Sequence, residues 1–286
     1  MYRLIQPSWV KKHNSIVFEG MEKTPASTFA RIRNGLNRFK SELPEVTILI
    51  PAYNEEKDLL KTLSSISEMK SDYPTELLVV NNNSTDCTQQ ILDACGVRSV
   101  FEPRQGISFT RQTGLEHARG KYILNADADS IYPPGWLNAY VKALKDPAVT
   151  CVYGRHSFIP SQGSNRPVLG LYEMVAETLF DLRRKNREFL NVLGFNFAFR
   201  KADGLKVGGF NITRQRWQDG CMAMMLLQIG KIKLVSGKDA RVWTSDRRLM
   251  YDGGLGKAFV KRFIKQFALL GEYITGTQKQ TSKLNR

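Results

Sequence analysis

Between Val46 and Asn125 the chain alternates short apolar runs with segments whose apolar residues recur every three or four positions. The runs Val46–Ile50, Glu76–Val80, Val97–Phe101 and Lys121–Asn125 have the length and β-branched content of buried strands. Between them, Glu55–Lys70 carries Leu59, Leu60, Leu63 and Ile66 on one helical face. Ser84–Ala94 and Ser108–Arg119 are further helices, with Gly96 and Gly120 as stop signals. Strict alternation of this kind predicts an α/β, doubly wound, Rossmann-like sheet that is mostly parallel.

The second half is less regular. Pro133-Pro134 opens a helix to about Leu144, Val149–Tyr153 is a strand, and Leu169–Asn186 is helical. Asn191–Arg200 reads as a Phe-rich, half-buried strand, Asp219–Ile229 as a helix ended by Gly230, and Ile232–Val235 and Ala240–Trp243 as short strands. Residues 1–44 show no clear period and read as an irregular arm with one short basic helix near Phe29–Phe39. These patterns divide the chain into the arm (1–44), a central domain (45–245, with halves 45–130 and 131–245) and a tail (246–286).

A length of 286 residues with 42% hydrophobic content suits a chain that buries a sizeable core. No apolar run reaches the roughly 18 residues that a membrane span needs, and the first twenty residues lack the apolar centre of a signal peptide. A cytoplasmic location follows by default. Cys87, Cys95, Cys151 and Cys221 are scattered and read as reduced structural thiols.

Charge changes the picture more. The net charge is +15, and Lys257, Lys261, Arg262, Lys265, Lys279, Lys283 and Arg286 face only Glu272 near the C-terminus. Within 257–274, Phe259, Phe263, Phe267 and Leu270 fall at helical spacing, which makes a basic amphipathic helix. Packing on the central domain and docking on an anionic membrane surface, as a peripheral contact at its inner face, both satisfy that pattern. The domain holds no basic stretch interleaved with aromatics, so no nucleic acid is expected as a partner.

Candidate chemistry collects where the strands end. The first strand, stopped by Pro51, delivers Tyr53, Asn54 and Glu55; the second delivers Asn81, Asn82 and Asn83; the third leads through Gly106 to Arg111. The fourth delivers Asp127 and Asp129, which, two apart on an extended end, point the same way. Carboxyl ends of strands are where open α/β sheets bind ligands, and paired carboxylates suit a hard divalent cation accompanied by phosphate. Each motif has a plainer reading. Asn54 and Ser84 are ordinary caps, Arg111 a surface charge, and Asp219 an N-cap.

Together, Val46-Thr-Ile-Leu-Ile-Pro-Ala-Tyr-Asn-Glu55, Val80-Asn-Asn-Asn-Ser-Thr-Asp86 and Asn125-Ala-Asp-Ala-Asp129 resemble the family 2 glycosyltransferases of GT-A type, over roughly residues 46–245. The resemblance implies inverting transfer of a sugar from a nucleotide diphosphate donor to an acceptor hydroxyl or lipid phosphate, with Mg²⁺ or Mn²⁺. It implies that Tyr53 and Asn82 hold the base, that Glu55 supports the pocket, and that Arg111 fixes the nucleotide. Asp127 would approach ribose and metal, and Asp129 would bind the metal. Asp219, in Trp217-Gln-Asp-Gly220, falls where the family places its general base. Arg247 and Arg248 are candidates for the diphosphate, and Asn196 and Trp217 for the acceptor side, where an unknown glycan or lipid-linked acceptor would bind. Two departures stand out: Asn81-Asn82 replaces the family's acidic pair, and the Q-x-x-R-W motif of processive synthases is absent. A binding module without catalysis, a basic nucleic-acid binder and a nucleotidyltransferase are the alternatives. The last would be expected to show a Gly-rich loop after the first strand, where Pro51-Ala-Tyr-Asn stands.

Overall fold

A computed structural model describes residues 4–161, 164–213 and 217–247. The chain divides into two compact units, a larger one of Pro7–His156 with Val192–Thr244 and a smaller one built on Ser157–Asn191. The larger unit begins with helices α1 (Ser8–Asn14) and α2 (Ala26–Leu36). It continues through β1 (Val46–Ala52), α3 (Leu59–Ser67), β2 (Thr75–Asn81), α4 (Thr88–Ala94), β3 (Arg98–Phe101), α5 (Ile107–His117) and β4 (Tyr122–Asn125). After β5 (Ser130–Ile131) come α6 (Trp136–Leu144), β6 (Val149–Gly154) and β7 (His156–Ile159), at which the chain passes into the smaller unit and its long helix α7 (Arg166–Arg183). Returning, it forms β8 (Phe197–Arg200), α8 (Lys201–Lys206), α9 (Gln218–Leu227), β9 (Lys231–Val235) and β10 (Val242–Ser245).

The main sheet has seven strands in the order β3-β2-β1-β4-β8-β6-β9. Strands β3, β2, β1 and β4 are mutually parallel, while β8 runs antiparallel to both β4 and β6. In a small second sheet, β5 pairs antiparallel with β10. Strands β1 and β2 are buried along their whole length, as parallel strands covered on both faces must be. The chain steps outward from β1 to β2 to β3, then returns to the other side of β1 as β4. The switch point therefore lies between the carboxyl ends of β1 and β4, the place where open α/β sheets hold ligands.

Several expectations shift. The arm is not irregular beyond its one foreseen helix. Besides α2, a second helix, α1, is present, and its His13 is buried with Nδ1 2.9 Å from Ser64 Oγ on α3. Phe29, Ile32 and Leu36 of α2 join the core. The period was masked because α1 is only seven residues long. Pro51 does not stop β1, which continues to Ala52, because a proline keeps its carbonyl and an extended φ. The segment 191–200 is a strand only from Phe197, and there Phe197, Ala198 and Phe199 are all fully buried rather than alternating, since β8 is a central strand covered on both faces.

Candidate active site

The loops after β1 and β2 are bound to each other. Asn54 Oδ1 accepts from the Thr85 backbone N–H at 2.8 Å, and Ser84 Oγ accepts from that of Asn54 at 3.1 Å. The Glu56 N–H donates to Asp86 Oδ2, and the Cys87 N–H donates back to Glu56 Oε2. The polar residues expected to cap helices therefore cross between loops, and α3 and α4 start only at Leu59 and Thr88. Asn54 and Asn83 both sit in the left-handed region, with φ of 53° and 57°, which asparagine tolerates. The outcome is a braced ledge on which Tyr53 stands half exposed, at 51%. Glu55 lies on the same ledge, its N–H donating to Thr88 Oγ1.

Asn82 is placed differently from expectation. It is buried, and its amide is spent on backbone: Nδ2 donates to the carbonyls of Glu102 and Arg104, and Oδ1 accepts from the Gly106 N–H. It shapes the loop between β3 and α5 instead of facing outward. Glu102 grips that loop from the other side, accepting from the backbone and guanidinium of Arg104 and from Thr113 Oγ1. The bond from the Arg104 side chain leads the effects that hold the Glu102 carboxyl at about 2, against the cost of burial.

Arg111 is no surface charge. It is fully buried, donating from Nη1 to Asn125 Oδ1 at 2.9 Å and from Nη2 to Asp127 Oδ1 at 2.8 Å. Its guanidinium thus fixes a candidate metal ligand. Asp127 and Asp129 are both partly exposed, but Ala128 and Asp129 form a turn rather than the extended end expected. The turn buries Ala128, whose carbonyl accepts from Thr62 Oγ1 at 2.7 Å. Beneath it lies Tyr132, whose hydroxyl accepts from the Asp127 N–H at 2.8 Å and donates to the Phe195 carbonyl at 3.0 Å. Burial first, and then the negative charge of Asp127, push this phenol well above its ordinary range, so it remains a donor.

From Tyr132 an aromatic column runs through Trp136 and Tyr140 to Asn196. Asn196 does not present itself to an acceptor. It is 1% exposed, Trp136 Nε1 and the Tyr140 hydroxyl donate to its Oδ1, and its Nδ2 reaches the Arg155 and Ala240 carbonyls. A polar side chain sealed in a core must fill its bonds locally, and Asn196 does so at the root of the loop that carries Gly194.

Gly194 brings the parts together. Its N–H donates to Asp219 Oδ2 at 2.6 Å, and a Cβ there would lie 2.7 Å from Arg111 Nη2 and 3.4 Å from Asp219 Oδ2. Asp219 therefore adjoins the Arg111–Asp127 pair. Its other oxygen accepts from the Gly220 N–H in the first turn of α9. Trp217, left-handed at φ 61° and partly exposed, turns the chain into that helix. Arg247 lies in the smaller unit, and Arg248 and the 257–274 segment lie outside the described residues. Sequence reasoning missed Tyr132, Glu102 and Gly194 as organisers of the site. An aromatic, an acid and a glycine carry no local signal for such work.

Two carboxylates offer oxygen ligands at this edge, and no group of three or more His, Cys, Asp or Glu poised to hold a metal occurs among the described residues. That donor set fits Mg²⁺ or Mn²⁺, which take one or two carboxylates and complete their shell with phosphate oxygens and water.

The sheet order, its switch point and the acids gathered there define a protein of GT-A type. The chain belongs to the family described as Glycosyl transferase family 2, whose model matches residues 47–204. It is 30% identical to the glycosyltransferase AglE of Haloferax volcanii over 132 residues, 43% of each chain. It is 25% identical over 172 residues to WfgD of Escherichia coli, a UDP-Glc:alpha-D-GlcNAc-diphosphoundecaprenol beta-1,3-glucosyltransferase, covering 54% of this chain and 66% of that one. The match thus spans less than two thirds of either relative. Among solved structures, the mannosyltransferase PcManGT from Pyrobaculum calidifontis, in complex with GDP-Man and Mn²⁺, has a TM-score of 0.56 at 20% identity, over 92% of this chain and 81% of that one. GalNAc-T7 with UDP, GalNAc and Mn²⁺ has a TM-score of 0.54 at 16% identity, over 71% and 44%. These likenesses show the fold.

Proposed function

We propose that the protein is an inverting hexosyltransferase that moves a sugar from a nucleoside diphosphate donor to an acceptor hydroxyl, with a glycan or lipid-linked acceptor. One observation carries this reading: Gly194 sets Asp219 beside the Arg111–Asp127 pair, so an acid that can take a proton adjoins acids that suit a diphosphate-bound cation. Tyr53 would stack on the base from its ledge. Asp127 and Asp129 would hold Mg²⁺ or Mn²⁺, which would offset charge on the leaving diphosphate. Arg111 orients Asp127 rather than touching the nucleotide, and Asn82 sets the loop beside the base rather than the base itself. Trp217, at the entry to α9, remains the acceptor-side candidate.

In the transfer step Asp219 accepts the proton of the acceptor hydroxyl. The acceptor oxygen bonds to the anomeric carbon from the face opposite the leaving group. The bond from that carbon to the phosphate oxygen breaks, and its electron pair leaves with the nucleoside diphosphate. The names of WfgD and PcManGT support UDP- or GDP-linked hexoses as donors, and that of WfgD supports an acceptor borne on a lipid diphosphate.

A thermal-shift series with nucleoside diphosphates, with and without Mn²⁺, tests the donor site. Ligand at about 100 times its Kd should stabilise by about 2.7 kcal/mol. If no nucleotide shifts the melting temperature with metal present, the reading fails.

A further inference from the structure

The long helix of the smaller unit is turned inside out. Its buried residues are Arg166, Leu169, Gly170 and Glu173. Two of these four are charged, and they form a bidentate pair: Arg166 Nη1 donates to Glu173 Oε1 at 2.7 Å and Nη2 to Oε2 at 2.5 Å. The Phe158 N–H and Ser157 Oγ complete the carboxylate's bonds. The other face is apolar. Successive residues of an α-helix are about 100° apart, so Val168, Leu171, Val175, Thr178 and Leu182, spaced three, four, three and four, form one stripe with Met174 at its border. Val168, Leu171 and Met174 are exposed at 48%, 62% and 47%. Scattered apolar residues on a surface need no explanation, but a continuous stripe opposite a buried ion pair marks a face that meets something apolar.

Charge selects the partner. Just beyond the stripe the chain carries Arg183, Arg184, Lys185 and Arg187, four bases against the two acids Asp181 and Glu188, both of which Arg184 reaches at 3.7 Å, in a chain of net charge +15. An apolar stripe with bases at its end is how a helix lies in an anionic lipid interface, apolar residues among the acyl chains and bases at the headgroups.

We infer that α7 is an interfacial helix that docks the protein on an anionic lipid surface through Val168, Leu171, Met174 and Val175. The inference deepens the reading of a lipid-linked acceptor proposed above. Its test needs neither donor nor metal, so either can fail without the other.

The test is co-sedimentation of the full chain with vesicles of phosphatidylcholine alone or mixed equally with phosphatidylglycerol, with sedimentation velocity of the protein by itself. The wild type should pellet with the anionic vesicles only. Leu171→Glu with Met174→Glu should lower the bound fraction about tenfold, while Leu205→Glu, at a leucine 48% exposed on α8, should leave it unchanged. An unaltered far-ultraviolet circular dichroism spectrum and melting temperature, measured without ligand, would show the double variant folded. The inference is overturned if the double variant binds like the wild type, which would assign binding to the basic C-terminal segment. It is equally overturned if the wild type ignores anionic vesicles, or if it self-associates through a contact that the double variant abolishes without any vesicle binding.

Discussion

The two ends of the parallel strands hold their acids in opposite ways. At the amino end, Glu76 near the start of β2 is 1% exposed and closed in by the protein. Its oxygens accept from Thr47 Oγ1 at 2.7 Å, from the Arg119 N–H and Nε at 2.6 and 2.8 Å, and from Arg98 Nη1 at 2.8 Å. Burial alone would raise this carboxyl, but those bonds outweigh it and leave it below the ordinary range. At the carboxyl end, Asp127, Asp129 and Asp219 keep part of their surface in solvent, while Arg111 orients Asp127 and the Gly194 and Gly220 N–H groups orient Asp219. A carboxylate surrounded by donors from its own chain stabilises a fold. One held in place but left partly open is available to something else.

The contrast can be broken by substitution. Asp219→Asn should lower turnover by about 10²–10⁴ while the nucleotide-dependent thermal shift persists; equal loss of both would make Asp219 a donor-site residue. Glu76→Ala should cost about 3 kcal/mol of stability in urea unfolding, with turnover per folded molecule unchanged. A fall in turnover without a fall in stability would erase the distinction between the two ends. Tyr132→Phe removes two hydrogen bonds and should cost about 1–2 kcal/mol of stability, together with a lower kcat per folded molecule at constant donor KM. A merely structural Tyr132 would change neither parameter once corrected for folded fraction.

The smallest effect concerns acid stability. Glu102 titrates at about 2 in the folded protein against an ordinary 4.5, so its contribution is complete above 4.5 and is lost as pH falls towards 2. Glu102→Gln should therefore flatten the decline in unfolding free energy across that window by about 1–2 kcal/mol, allowing for solvent screening of the half-exposed Arg104. An equally steep acid limb in the variant would place the acid sensitivity elsewhere, with Glu76 the next candidate.

The sheet was legible because its strands are buried on both faces and punctuated by helices of clear period, and the edge was legible because polar residues ended four strands in succession. Side-chain direction was not. Asn82, Arg111 and Asn196 have the chemistry of ligand contacts, and each is sealed inside, bonding to backbone or to another site residue. Nothing in their local sequence separates a donor that faces a ligand from one that holds a loop, since that depends on partners such as Glu102, Trp136 and Ala240, up to 60 positions away. Helix α1 was lost for a different reason, being too short to show a period. The apolar stripe of α7 was visible as helical spacing, but not which side of the helix faces outward.

Gly194 deserves its place for what it lacks. With a hydrogen where other residues carry carbon, it lets Asp219 and the arginine-clamped Asp127 share one boundary, 2.7 Å from a hypothetical methyl to Arg111. A side chain there would press on the Arg111 guanidinium, already held by Asn125 and Asp127, and disturb the boundary it shares with Asp219. A library randomised at position 194 should return glycine almost alone among active clones, while the same library at Tyr53 should tolerate any flat ring.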